Sequence, residues 1–402
     1  MKLLKPKLLI IFFCLLTLMF LSNDFGIIDI EKTAIVTAVA IDLDGEEYNV
    51  SVQVAVPEAT DSNTENQKAL LSGKGETIGA AIKAIGNASG WFPKLSFCNL
   101  IILGNGFADQ NVVETLDYFA KTLRVQDSAV VCLSEKSAKE AIDTSSPLDN
   151  ISSFAIQKIL LKNAGLDRDM SVSDIRTFTI GYYGRTSSSH MPILKTVSQT
   201  DGEDGGESQS GSSGGGSQGG GSQESSQFDN KGNTLYDLTS TALFRSGKLV
   251  GVLDTPLTFT FNMLKGNVSE SILHLNPADD GINYSLTIFR NSPKIKLDFS
   301  DDSCTVKITL DVYCRIGDSK KTGTDSDYTN NHELIPAVKS AAERLVTERI
   351  IKLFNESKQS GCDLLDLDKL LYKHHNGKYN EFKDRLLTDS NLVVSVNFSS
   401  QK

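Results

Sequence analysis

The amino-acid sequence predicts an α+β protein, a multi-domain ectodomain of mixed α and β structure behind a single N-terminal apolar anchor. Three observations support this fold class. An apolar run follows a lysine-rich N-terminus, strands and helices alternate up to residue 143, and strands precede helices after residue 231. The 402 residues are enough for two or three domains, each with its own core.

Residues 1–24 are predicted to be a signal sequence or membrane anchor. Three lysines within the first seven residues precede an uncharged, mostly apolar run from Leu8 to Leu21, and the next charged residue is Asp24. This order is typical of a secretory signal or signal anchor, and the lysines favour the cytoplasmic side. A buried core helix is the other interpretation of so short a run. Because Cys14 follows two phenylalanines and no A-x-A site follows Leu21, we expect a retained anchor and no lipidation.

The region 29–197 is predicted to be α/β, either as one unit or as two modules that meet near residue 145. Its first strands, Thr33–Asp42 and Tyr48–Val56, flank an Asp-Gly turn, and apolar residues alternate with polar ones in the second strand. We expect a hairpin there and not a calcium loop, because the ligands that should follow the aspartates are missing.

The glycine-rich stretch Gly73–Gly79 resembles a nucleotide-binding loop, but its spacing misses G-x-G-x-x-G. It instead predicts the start of a helix whose core face carries Ile78, Ala81, Ile82 and Ile85, and which Gly86 and Gly90 end. The later predicted elements of this region are a strand Leu100–Leu103, a helix Val112–Leu123, a strand Ser128–Leu133, a helix Lys136–Ile142, and a helix Ile156–Lys162 that precedes a Tyr- and Ser-rich loop.

Residues 198–230 are almost wholly Ser, Gly, Gln, Asp and Glu. Such a segment cannot bury enough apolar surface to offset its ordering entropy, so we expect it to be disordered. It is either a linker between two domains or a loop inserted near a domain junction.

The region 231–402 is predicted to be an α+β domain. Asn331 is the predicted cap of its long helix, and Pro336 lies in the first turn, where proline is tolerated. In order, the predicted elements are strands Thr241–Phe244, Leu249–Leu253, Ser285–Arg290, Lys294–Phe299 and Thr305–Ile316, helices Glu333–Glu356, Leu364–Tyr372 and Asn380–Leu387, and a closing strand Leu392–Phe398.

Composition and motifs argue against several classes of function. The net charge is −10 with a pI near 5.1, and no basic run follows the N-terminus, so we expect no nucleic-acid partner. No C-x-x-C pair, nucleophile motif or helical metal-ligand spacing occurs, so we expect no catalysis, no metal and no cofactor. The histidines fall in predicted loops or at exposed helix ends, at positions His190, His274, His332, His374 and His375.

Two smaller features leave alternatives open. Trp91-Phe92-Pro93 is either a binding platform or a plug in the core. Cys304 and Cys314 lie on the same face of one predicted strand, where they cannot pair with each other.

Three strings, in order, resemble the Ger(x)C family, the C subunits of spore nutrient germinant receptors. Asp29–Asp42 resembles the family's acidic stretch that leads into L-A-I-V-T-x-x-x-I-D, and Thr241–Leu253 resembles T-A-[VL]-F-x-x-x-K-L-V-G-x-L. Asp363–Leu367 and Lys378–Lys383 are similar to its C-terminal D-[IL]-x-x-L and K-x-[WYF] patterns. The similarity is collinear from Asp29 to Phe398.

The resemblance implies a non-enzymatic, membrane-tethered subunit on the outer face of the spore's inner membrane, assembled with A-type and B-type membrane subunits. Family members begin the mature chain with a lipidated Cys followed by Trp-Asp, whereas Asp24, Phe25 and Gly26 stand at those positions here. The apolar run must then supply the tether. The alternative function is that of an extracytoplasmic binding protein for a small nutrient, and a third class, an envelope hydrolase, lacks candidate residues.

Overall fold

The computed structural model describes residues 10–17, 33–55, 68–122, 125–146, 149, 151–162, 169–198, 234–266, 268–275, 282–300, 302–321 and 334–400. Residues 10–17 are helical and fall within the predicted anchor, and the rest of that anchor lies outside the described residues. Within the described ranges, no helix combines the length and the apolar character needed to span a bilayer. The predicted disordered segment lies outside them after residue 198.

From Thr33 onward, the described part of the chain contains thirteen strands and ten α-helices, with short 3-10 turns between some of them. The strands are β1 (Thr33–Asp44), β2 (Glu47–Ala55), β3 (Lys68–Gly75), β4 (Phe92–Lys94), β5 (Leu100–Leu103), β6 (Val130–Ser134), β7 (Ser188–Ser198), β8 (Thr234–Arg245), β9 (Lys248–Leu253), β10 (Ser271–Leu275), β11 (Ile282–Ser300), β12 (Ser303–Lys321) and β13 (Asn391–Ser400). The helices are α1 (Ile78–Ser89), α2 (Val112–Lys121), α3 (Ala138–Asp143), α4 (Ser152–Gln157, continued by a π-helix Lys158–Lys162), α5 (Ile175–Tyr183), α6 (Thr255–Leu264), α7 (Pro336–Ser360), α8 (Leu367–His374), α9 (Tyr379–Phe382) and α10 (Leu386–Asp389).

The larger sheet has nine strands, eight of them in the order β3-β2-β1-β5-β6-β7-β8-β9, with β4 paired to the start of β1. The β1–β2 hairpin is confirmed, and its turn places Gly45 at a φ of 67°, a value that glycine adopts without strain. Strands β1, β5, β6 and β7 run parallel, and β5 and β6 are buried on both faces, as their runs of aliphatic residues require.

Helices cover both faces of the central strands. On one face α1, α2 and α5 bury Ile85, Phe119 and Phe178 against the sheet. On the other, α3 and α4 bury Ile142 and Ile156. The alternation of strands and helices predicted for this region is therefore confirmed.

Several elements of this sheet differ from the sequence prediction. Residues 68–75 form strand β3, so the glycines of Gly73–Gly79 end a strand before they lead into α1. Helix α5 and strand β7 occupy the segment predicted to be a Tyr- and Ser-rich loop. Gly86 lies inside α1, which ends at Gly90 with a left-handed φ of 72°.

The larger sheet includes strands from both sides of the two positions at which the sequence suggested a division, residue 145 and the segment 198–230. Strand β7 pairs with β6 on one side and with β8 on the other. In the second pairing Ser198 lies directly opposite Thr234, so residues 199–233 join two facing positions of one hairpin. The Gly/Ser-rich segment thus connects β7 and β8, which are neighbouring strands of one sheet.

The smaller sheet has the order β10-β11-β12-β13, with β12 and β13 parallel. Strand β11 unites two predicted strands, because Pro293 pairs with Leu310 inside the ladder and does not interrupt it. Helix α7 begins at Pro336, after Ile335 and without a side-chain cap. The predicted cap Asn331 lies outside the described residues, and the third predicted helix divides into the short helices α9 and α10.

Helix α6, which the sequence did not predict, joins the two halves of the molecule, the N-terminal half with the larger sheet and the C-terminal half with the smaller sheet. It packs against β8 of the larger sheet, against α7 and against β11 of the smaller one. Its residues from Leu257 to Leu264 are all buried. One hydrophobic core therefore includes Leu243 and Leu253 of the larger sheet together with the C-terminal strands and helices.

Candidate functional site

Of the histidines, His190 departs most from its predicted position. It lies on strand β7 and not in a loop, and its ring packs edge-on against Phe261 at 5.0 Å between centroids. Burial, assisted by the nearby charge of Lys265, lowers the pKa of His190 to about 4. The neutral imidazole is therefore an apolar packing element at this position.

The other histidines form no cluster among the residues that the structure describes. His274 lies on β10, also not in a loop, and its Nδ1 is 3.1 Å from the hydroxyl of Ser285. His375 follows helix α8 and packs against Phe299 at 5.0 Å, and His332 lies outside the described ranges. No group of three His, Cys, Asp or Glu side chains within those ranges could hold a metal ion.

The cysteines of the described body are buried free thiols. Burial raises the pKa of Cys98 to about 12 and also raises that of Cys132. A catalytic thiol needs a lowered pKa, so these two thiols are poor nucleophiles. Cys304 and Cys314 both face the core from strand β12, as predicted, and are not paired.

The aspartate that ends the first family-like string is a helix cap. The carboxylate of Asp42 accepts hydrogen bonds from the backbone N–H groups of Ala138 (2.7 Å) and Lys139 (2.9 Å) and from the hydroxyl of Ser137 (2.9 Å). These donors form the start of α3, where an anionic acceptor also meets the positive end of the helix dipole. A Cβ atom at Gly104 would lie 2.1 Å from Asp42 Oδ1, so only glycine leaves the carboxylate room there.

The second family-like string builds the β8–β9 hairpin. Its turn has Ser246 and Gly247 at φ values of 51° and 78°, the two left-handed positions of a type I′ turn. The carbonyl oxygen of Gly247 accepts a hydrogen bond from the N–H of Val112 at 3.1 Å. The string therefore fixes this hairpin onto the beginning of α2.

The third string caps helix α8 with a buried carboxylate. Asp363 accepts hydrogen bonds from the N–H groups of Leu367 (2.8 Å) and Asp368 (2.9 Å), and burial raises its pKa. Its own N–H donates to the hydroxyl of Ser188 at 3.0 Å, which ties the C-terminal helices to strand β7. All three strings thus have structural roles in the described part of the chain.

Arg185 links the two halves of the molecule by charge, a role that the sequence did not indicate. Its Nε donates to Asp368 Oδ1 at 2.6 Å, its Nη1 lies 3.3 Å from Asp384 Oδ1, and its Nη2 donates to the carbonyl of Lys383. The guanidinium also lies 5.7 Å from the ring centroid of Tyr379. Nothing in the local sequence marks this arginine, because its partners follow about 180 residues later.

The cluster Trp91-Phe92-Pro93, predicted to be either a binding platform or a plug in the core, has both exposed and buried members. Pro93 is buried, whereas Trp91 and Phe92 are 48% and 56% exposed. They border an open groove of about 410 Å³, which is lined by Ile82 and Lys83 of α1 and by Tyr118 of α2, among others. This exposed aromatic surface is the strongest candidate for a binding function in the described structure.

A second open groove, of about 320 Å³, lies beside helix α8. Its charged lining includes Lys265, Lys369, Lys373 and His374 together with Asp366, which forms an ion pair with Lys265. The charged part of the lining is mainly cationic, and it is accompanied by the apolar residues Leu264, Ile295, Leu365 and Leu370. The groove also contains the His374 side chain that the sequence placed at a solvated helix end.

Comparisons with known proteins cover almost the whole chain. Residues 26–196 match the family model described as spore germination protein N-terminal domain, and residues 239–401 match the one described as spore germination B3/GerAC-like, C-terminal. The crystal structure of the GerBC protein is similar to this fold, with a TM-score of 0.53 at 14% identity, over 93% of this chain and all of that one. The comparison with curated proteins found no match.

Proposed function

The chain belongs to the Ger(x)C family of spore germination proteins, and from this premise we propose that it is a membrane-tethered, non-enzymatic C subunit of a nutrient germinant receptor. The observation that carries the proposal is the collinear match of both family domains, in order, over most of the chain. The fold, which is similar to that of the GerBC protein, supports the same assignment.

The tether and its orientation rest on the N-terminal sequence. The lysines before Leu8 and the apolar run that follows favour a cytoplasmic N-terminus and an external body. We propose that this body lies on the outer face of the spore's inner membrane, because the family consists of germinant receptor components that act at that membrane. A-type and B-type membrane subunits are the proposed partners.

A role without catalysis fits the chemistry of the side chains. Two carboxylates of the family-like strings, those of Asp42 and Asp363, cap helices, and burial raises the pKa of the Cys98 thiol to about 12. Such a subunit would act by assembly and by transmitting a conformational signal to its partners. It would carry out no bond-making step of its own.

The test is a deletion of the gene for this chain in a strain whose other germinant receptors have already been removed. The remaining genes of the receptor to which this chain belongs stay intact. Spores of the deletion strain should lose their response to particular nutrients while growth, sporulation and nutrient-independent germination stay normal. Complementation with the wild-type gene, and with a His374→Ala/His375→Ala variant, should restore the response. Normal nutrient responses in the deletion strain, or enzymatic turnover by the purified protein, would contradict the proposal.

The alternative is an extracytoplasmic binding protein for a small nutrient, which the cationic groove beside α8 favours. Its lysines would suit an anionic ligand such as a carboxylate. Isothermal titration of the purified chain with candidate germinants distinguishes the two functions. Under the subunit proposal, neighbouring genes should encode two polytopic membrane proteins and not transporter components.

A further inference from the structure

One end of the larger sheet, where β4 pairs with the start of β1, exposes a set of apolar side chains, which we name the aromatic edge: Ile35, Trp91, Phe92 and Phe97. Their exposed fractions are 43%, 48%, 56% and 58%. Strand β4 pairs in parallel with the start of β1, which places Thr33 opposite Phe92 and Ile35 opposite Lys94. Trp91 directly precedes β4, and Phe97 ends the 3-10 turn Leu95–Phe97 that directly follows it.

The backbone holds these rings outward. Between and beside them Pro93, Leu95 and Cys98 are buried, so the segment is fixed to the core through residues that alternate with the exposed ones. The segment therefore cannot bury the rings by turning over without removing the inner residues from the core. A rigid, outward-facing aromatic surface of this kind usually has a partner.

Charge indicates the chemistry of that partner. No Asp or Glu occurs from Thr77 to Ala108, although the chain contains 50 acidic residues. This acid-free stretch includes the three aromatic members of the edge, Trp91, Phe92 and Phe97, and it carries Lys83 and Lys94, both exposed. In an acidic protein, apolar rings flanked by lysines complement an anionic, partly apolar surface, which describes the headgroup region of a phospholipid membrane.

The position of the edge in the chain agrees with this partner. Strand β1 begins at Thr33, and the apolar run ends at Leu21, so a fully extended connection is at most about 40 Å long. The strand that carries Ile35 is thus the part of the described body closest in sequence to the proposed tether. Trp side chains prefer the membrane–water interface, Phe side chains enter the boundary between headgroups and acyl chains, and lysines extend to the phosphates.

The size of the edge argues against a protein partner. Side chains of this kind, about half exposed, present roughly 400 Å² in total, whereas each side of a standard protein interface buries about 800 Å². A protein partner would have to bury the remaining area, about 400 Å², on the polar surface around the aromatic edge. A bilayer needs no matching area.

We propose that the aromatic edge docks into the headgroup region of the bilayer and so fixes the orientation of the body on the membrane. This inference rests on the tethering proposed above. The tether alone would leave the body free to rotate, whereas docking through a second contact presents the C-terminal half in one direction toward partner subunits.

Trp91 is the single tryptophan of the chain, so its fluorescence reports on the edge without any label. The full chain is reconstituted into vesicles of phosphatidylcholine and phosphatidylglycerol, with lipids brominated at shallow acyl positions as quenchers. Flotation of the vesicles measures the tether, and quenching of Trp91 measures docking. Docking predicts a blue-shifted emission that brominated lipid quenches and that aqueous iodide does not.

Variants sharpen the test. Phe92→Ser with Phe97→Ser should lower the ratio of docked to free Trp91 roughly tenfold, because the exposed ring surface that enters the bilayer is lost. Lys83→Glu with Lys94→Glu should reduce quenching more in vesicles that contain phosphatidylglycerol than in phosphatidylcholine alone. The control Ile180→Ser removes an apolar side chain that is 66% exposed on α5 and should leave quenching unchanged.

The outcomes separate the two proposals. A chain that does not float with the vesicles overturns the tether. A chain that floats while Trp91 is quenched by iodide and not by brominated lipid overturns docking alone. If the Trp91 emission shifts to the blue with increasing protein concentration in the absence of lipid, a second copy of the chain covers the aromatic edge. If the blue shift appears only when A- and B-type subunits are added, a protein partner covers it. Either result overturns membrane docking.

Discussion

Replacement of Arg185 by alanine should destabilise the junction between the two halves of the molecule by about 2 kcal/mol. The loss comes mainly from Asp368, whose side chain is only 16% exposed and would lose its cationic partner. Asp384 is 82% exposed, so its pair with Arg185 contributes at most about 0.5 kcal/mol. The contact with Tyr379, at 5.7 Å from the ring centroid, adds about 0.5 kcal/mol.

The measurement is urea unfolding of the full chain in detergent, followed by far-ultraviolet circular dichroism, as a double-mutant cycle. Arg185→Ala combined with Asp368→Ala should give a coupling free energy of about 1.5 kcal/mol, and combined with Asp384→Ala a value below about 0.5 kcal/mol. A matched control is Arg176→Ala, because its pair with Asp127 is 3.7 Å long and both side chains are about two-thirds exposed. If Arg185→Ala costs no more than this control, or if both cycles give equal coupling, the junction is not held by the Arg185–Asp368 pair.

Four further predictions follow from the described contacts. Gly104→Ala should destabilise the fold by about 1–3 kcal/mol in urea unfolding, because its Cβ would displace the Asp42 carboxylate; a neutral result would contradict the close contact. The low pKa of His190, about 4 against its usual 6.5, means that the unfolded chain gains the proton first on acidification, so stability should fall between these pH values. In the His190→Phe variant, the free energy of unfolding should depend less on pH over this range. An unchanged dependence would mean that other groups cause the loss of stability. Replacing residues 199–233 by a short Gly/Ser turn should change the urea midpoint little, since each halving of loop length alters closure by only about 0.6 kcal/mol, and unfolding of the shortened chain would count against an inserted loop. Cys14→Ser should leave membrane association intact in a fractionation assay, whereas release of this variant, or a purified chain beginning at Cys14, would indicate lipidation.

The sequence predicted the elements whose side chains alternate or repeat in a clear pattern. Strand β2 is an example, because its valines face one way and its polar residues the other, and the long helix α7 is another. Helix α6 was missed because its threonines and phenylalanines favour strands, while burial on every side removes the amphipathic period. Strand β11 was divided in two because Pro293 argues against a central strand, yet the ladder accommodates it.

The candidate site was predictable only in part. Trp91 and Phe92 stood out as an aromatic cluster, but sequence alone could not decide their exposure, which depends on the pairing of β4 with β1. Phe97 was not selected, although the acid-free stretch around it would have been a usable signal. Arg185 could not be found, because its partners come from a distant part of the chain.

The pairing of Ser198 with Thr234 has an evolutionary consequence. Both ends of the segment 199–233 are held on adjacent strands, about 5 Å apart. Gains or losses of residues in this segment would leave the pairing of β7 with β8 in register, because each doubling of loop length costs only about 0.6 kcal/mol. We expect related chains to differ in length mainly at this hairpin, so that it records drift while the flanking strands remain under selection.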